Sequence, residues 1–93
     1  MVKKGAKFII QGTVQGVFFK QFIKEKAELL ELTGFARSLT EGNVEILVEG
    51  DHEKIKKFGN LIKQGPDHSS IRNIQHEERN WSGEFKEFKL LRF

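Results

Sequence analysis

The stretch "GTVQGVFFKQF" runs from Gly12 to Phe22. It comes after a short apolar run, Phe8-Ile9-Ile10, and precedes a segment of helical periodicity. From Phe19 the apolar positions are Phe22, Ile23, Ala27 and Leu30, at offsets of 3, 4, 8 and 11, which is one face of a helix. Lys24, Glu25, Lys26 and Glu28 fall largely on the other face. Gly12 and Gly16 stand four residues apart where a strand over 6–12 hands over to that helix. The apolar run of the strand suits a central position covered on both sides. The helix closes near Leu32.

Outward from this unit, "GFARSLT" (34–40) and "NVEILVEG" (43–50) read as two strands joined by a tight turn at "TEGN". In the second, Val44, Ile46 and Val48 alternate with Glu45, Leu47 and Glu49, so one face is apolar and the other mixed. "DHEKIKKFGNLIKQGP" (51–66) carries the signals of a second helix. Asp51 stands at the N-cap and Glu53 in the first turn, while Ile55, Phe58 and Ile62 form a stripe; Gly65 and Pro66 end it. Gly59 inside the helix costs roughly 1 kcal/mol against alanine and suggests a close neighbour. "SIRNIQHEERNW" (70–81) is polar and reads as a strand at or near an edge, and "EFKEFKLLRF" (84–93) as a final strand after the turn at Ser82-Gly83. The order β-α-β-β-α-β, with an extra terminal strand, is that of an α+β, ferredoxin-like sandwich. Its antiparallel sheet carries two helices on one face.

Composition agrees with one such domain over residues 1–93. Apolar residues make up 38% of the chain and charged residues 31%, and nine phenylalanines supply bulk for a core. The absence of cysteine excludes disulfides and thiolate metal sites. No apolar run approaches the roughly 18–20 residues that span a membrane, and "MVKKGAKFII" lacks the form of a signal peptide. The cytoplasm is the expected location. The net charge of +3 comes from interspersed lysines and glutamates, a solvated mixed surface with a slight bias toward anionic ligands. No strand carries the basic and aromatic signature of RNA-recognition domains, so nucleic acid is not an expected partner. His52, His68 and His76 do not align as a metal set or a general base, and neither metal nor cofactor is expected. The polar edge strand makes a monomer the default.

A glycine-rich turn leading into a helix start is a natural anion site, because backbone N–H groups converge there and the helix dipole adds partial positive charge. Lys20 adds a full charge at the far end of the turn. Two glycines are a weak signal, and spacing alone favours a plain turn followed by an exposed lysine.

"GTVQGVFFK" resembles the first signature of the acylphosphatase family, Gly-x-Val-Gln-Gly-Val-x-Phe-Arg, at Gly12, Val14, Gln15, Gly16, Val17 and Phe19. "GFARSLTEGNVEILVEG" is similar to the second signature at Gly34, Phe35, Ala36, Gly42, Val44 and Gly50, and Gly65-Pro66 also fits the family pattern. The resemblance implies hydrolysis of the carboxyl-phosphate bond of small acyl phosphates, without metal or covalent intermediate. It implies that Gln15, Gly16, Val17, Phe18, Phe19 and Lys20 bind phosphate. Lys20 occupies the place of the family's catalytic arginine, and Ser38 that of the asparagine that orients the attacking water. Lysine keeps the charge but loses the planar fork, and serine is shorter and has one donor fewer. These changes leave two readings. One is an acylphosphatase weakened at both catalytic positions. The other is an inactive member that holds inorganic phosphate or an anionic partner through residues 15–20. Arg37 points away from Ser38 by strand alternation, and Asn43 serves the turn.

Overall fold

A computed structural model of the chain describes residues 2–13, 17–39, 43–64 and 70–91. It contains β1 (Lys3–Thr13), α1 (Val17–Leu29), β2 (Thr33–Ser38), β3 (Val44–Asp51), α2 (His52–Gln64), β4 (Ser70–Arg79) and β5 (Phe88–Leu91). The sheet order is β4-β1-β3-β2-β5, which is the expected ferredoxin-like arrangement with the terminal strand added at one edge. Three pairings are antiparallel; β5 joins β2 in parallel. That direction results from the route of residues 80–87, which carry the chain from β4 at one edge to β5 at the other.

The core lies between the sheet and the two helices. β1 contributes Ala6, Phe8 and Ile10, β3 contributes Val44, Ile46 and Val48, and β2 contributes Ala36, all essentially inaccessible. From α1 come Phe19, Ile23 and Ala27, and from α2 Ile55, Phe58 and Ile62, the stripe expected from the sequence. Phe22 and Leu30 pack at the margin of the core. β1 is an inner strand, but it is not covered on both sides: Ile9 points to the helix-free face and is only half-buried. A run of three apolar residues therefore marks an inner strand here without marking double coverage, because both helices share one face.

α1 ends earlier than expected, at Leu29, in a Schellman turn. Leu32 N–H reaches the Ala27 carbonyl at 2.8 Å and Glu31 N–H the Glu28 carbonyl at 3.0 Å. Glu31 takes the left-handed position, with φ of 58°. Gly34 has a different task inside β2. Its φ is +139°, and a Cβ there would lie 1.8 Å from the Leu47 carbonyl oxygen. Only glycine fits that approach of β2 to β3.

The helix-free face is not simply a solvated mixed surface. Glu45 and Glu49 alternate with the core residues of β3, yet they are only 8% and 4% exposed. Lys7 and Arg37 clamp Glu45, at 3.4 Å and 2.6 Å. Glu49 is held by the crossing segment. Ser82 donates to its Oε2 from N–H at 3.1 Å and from Oγ at 2.7 Å, and Gly83 N–H donates to Oε1 at 3.1 Å. Phe85 then tilts against Phe35, with ring centroids 5.9 Å apart, and Gly34 N–H donates to the Glu87 carbonyl at 3.0 Å. Two carboxylates thus satisfy the polar groups beneath and around the crossing chain.

Candidate functional site

β1 and β2 point the same way, so Thr13, the start of α1 and Ser38 all lie at one end of the sheet. Beside that end the register against β4 shifts between Gln11 and Gly12, where β4 carries one extra residue, Arg72. Such a bulge bends the strand that holds the extra residue, here the edge strand β4.

Registry brings Ser38 to the helix side of this end. Ile10 pairs with Val44, and Val44 pairs with Ser38. Cross-strand partners share a face, and Ile10 and Val44 are both core residues. Ser38 is therefore on the face that carries α1, half-buried, two strands from the end of β1. Arg37 goes to the other face, as expected, and its Nε donates to Glu45 Oε1 at 2.6 Å. The Asn43 carbonyl accepts the Leu39 N–H at 2.7 Å, which closes the hairpin. Asn43 thereby serves the turn with its backbone.

α1 opens at Val17, so Val17, Phe18, Phe19 and Lys20 form its first turn. Phe19 is 3% exposed and anchors this turn in the core. Lys20, next in the chain, is half-buried and forms no ion pair among the described residues. No acidic residue stands in the first turn. The partial positive charge of the helix start and the Lys20 ammonium thus have no carboxylate beside them within the helix. Gln15 and Gly16 of the expected cradle lie outside the described residues. Among the described residues no cluster of histidine, aspartate and glutamate has the arrangement of a metal site, and no helix is long and apolar enough to cross a membrane.

Comparison with known proteins agrees with the fold. The family model for acylphosphatase matches residues 6–90. The chain belongs to the acylphosphatase family. It is 37% identical over 90 residues to an acylphosphatase of Pelotomaculum thermopropionicum, covering 97% of this chain and 98% of the relative. The crystal structure of acylphosphatase from Bacillus subtilis superposes with a TM-score of 0.89 at 28% identity, over 95% of this chain and 98% of the other. The structure of an acylphosphatase from Coxiella burnetii gives a TM-score of 0.88 at 29% identity, over 96% and 93% of the two chains.

The expectation for Lys20 and Ser38 rests on the two signatures of the sequence. The absence of acid in the first turn of α1 is not legible as a property of the site until the helix is known to begin at Val17 rather than near Phe19; "VFFK" then carries the signal.

Proposed function

We propose that this acylphosphatase-family protein hydrolyses small acyl phosphates, slowly, with Lys20 and Ser38 in the catalytic positions. The observation that carries the reading is the placement of Lys20 in an acid-free helix start, at the sheet end and on the sheet face that Ser38 occupies. In this reading the backbone amides of residues 15–20 and the Lys20 ammonium hold the phosphoryl oxygens. The Ser38 hydroxyl orients a water in line with the scissile bond. Water attacks phosphorus, the P–O bond to the acyl group breaks, and carboxylate and inorganic phosphate leave. Catalysis of this kind rests on positioning and on stabilising charge at the phosphoryl oxygens.

Lys20 grips one oxygen where an arginine would clamp two. Loss of one preorganised group costs about 10²–10³ in rate, and two groups acting on one transition state do not simply multiply. The double replacement favours a second reading, in which the same loop binds inorganic phosphate or an anionic partner without turnover. We also infer a monomer in the cytoplasm. The charged edge of β4, with Glu77, Glu78 and Arg79 exposed, supports the monomer.

Benzoyl phosphate hydrolysis tests both readings, with the natural chain beside the Lys20→Arg/Ser38→Asn variant. Turnover by the natural chain above background, lost in Lys20→Met, is the result expected for the enzyme. Activity in the double variant alone would leave the natural chain as a phosphate binder. Inactivity of both would remove Lys20 and Ser38 from the catalytic positions.

A further inference from the structure

The two helices do not cover the sheet evenly. α1 packs on β2 and β5, and α2 on β1 and β3. The edge strand β4 is left as a shelf beside α2. Between α2 and this shelf runs a groove of about 290 Å³. It lies on the side of α2 away from α1, and hence apart from Lys20 and Ser38.

The floor is apolar, made by Ala6 and Phe8 of β1 and Ile55 of α2. The Phe8 ring stacks on the exposed His76 of β4, with centroids 4.9 Å apart and 10° between the planes. Flat rings thus already build one wall. The rim carries Lys4, Lys56 and Lys63 against a single acid, Glu78. Lys4 and Lys63 form no ion pair among the described residues, and Lys56 meets Glu53 only at 3.8 Å.

Gly59 opens onto this groove. A Cβ there would stand 3.4 Å from Phe8 Cε1 and 3.5 Å from Cζ, an ordinary contact. Packing accommodates an alanine, which would gain roughly 1 kcal/mol of helix propensity. The missing side chain leaves a notch in the groove beside the buried Phe8 ring.

We propose that this groove is a second binding site, for a small aromatic anion. Its volume stands at the bottom of the range of small-molecule sites, about 300–1,000 Å³, which suits one or two fused rings and is too small for a nucleotide. The ring lies in the groove against the exposed His76, over the apolar floor. The anionic group reaches the lysine rim, where Lys4, Lys56 and Lys63 outnumber Glu78 and the Glu53 beside Lys56. The site stands independently of the catalytic reading.

The test is a titration of the ¹⁵N-labelled chain with 2-naphthoate, read by amide shifts. Saturable shifts at Phe8, Ile55, Gly59 and His76 are expected. The neutral ketone 2-acetylnaphthalene should bind about fivefold more weakly, the loss of a rim ion pair. Gly59→Leu should abolish the shifts. If that variant does not fold, Gly59→Ala, which the geometry accommodates, should weaken binding at least threefold. Shifts confined to residues 15–20, or no saturable shift, would overturn the proposal. So would equal affinity for the ketone, or binding unchanged by the Gly59 variants.

Discussion

Replacing Glu49 by glutamine should cost this protein about 2 kcal/mol, a large effect for an atom-for-atom substitution. The carboxylate is 4% exposed and accepts three hydrogen bonds from Ser82 and Gly83. Hydrogen bonds to a charged group are worth about 1.5–3 kcal/mol each, and roughly half when neutral. Glutamine can keep its oxygen where Oε2 stands, facing Ser82 N–H and Oγ–H, so those two bonds survive in weakened form. Its amide then faces the Gly83 N–H, donor against donor, and the third bond is lost. Gly83 is exposed, so water takes back part of that loss. The neutral amide also costs less to bury than a carboxylate, which offsets most of the weakening of the two retained bonds, and the net loss is on the order of 2 kcal/mol. In a domain of this size it lowers the Tm by roughly 10 °C. With a urea slope of about 1–1.5 kcal/mol/M, the midpoint falls by more than 1 M. The same hook aligns the segment that leads to β5, so amide exchange should quicken at Gly34, whose N–H donates to the Glu87 carbonyl. A loss below about 0.5 kcal/mol, the size of an ordinary surface substitution, would refute the reasoning, as would unchanged protection at Gly34.

Gly34→Ala should destabilise the fold more than any surface change, by about 3 kcal/mol or more, because its Cβ would lie 1.8 Å from a backbone oxygen that β2–β3 pairing cannot move; circular dichroism against urea reads it. At Glu31 a hydrogen bond from Lys54 at 2.7 Å, with its charge, holds the carboxyl below its ordinary pKa. A lowered folded-state pKa gives stability that is present above the unfolded carboxylate pKa and fades as pH falls through the folded one. In Lys54→Met the Glu31 carboxyl carbon should titrate at its ordinary pH, and the two proteins should converge in stability in acid. Lys20→Met should weaken phosphate binding about tenfold or more, the worth of one charged contact, while leaving the unfolding free energy within about 0.5 kcal/mol of the parent; isothermal titration and urea curves check the two halves.

The helices, the hairpin and the buried stripe of α2 were legible because each is written in local periodicity. Ile55, Phe58 and Ile62 repeat at helical spacing, and Val44, Ile46 and Val48 at strand spacing, wherever the chain goes next. The family was legible because its signatures are long, and two of their glycines, Gly34 and Gly50, stand where a Cβ would meet neighbouring atoms. Gly34 is the clearest of these, with no room for a Cβ beside Leu47.

Other features depend on contacts between residues far apart in the chain. Glu45 and Glu49 sit at alternate positions of a strand and read as part of a mixed face. Lys7, Arg37, Ser82 and Gly83 bury and satisfy them. Ile9 reads as core, but both helices lie on the opposite face of the sheet. Lys20 and Ser38 are named by sequence. Their common end and common face come from the row Ile10–Val44–Ser38, which exists only once three strands are in register. The groove between α2 and β4 has no sequence signal beyond the glycine at position 59. It arises because two helices cover five strands, so that the edge strand is left bare, and because a glycine declines to fill the gap. Periodicity belongs to the chain itself, whereas burial, registry and cavities belong to pairs of elements that meet only in the folded sheet.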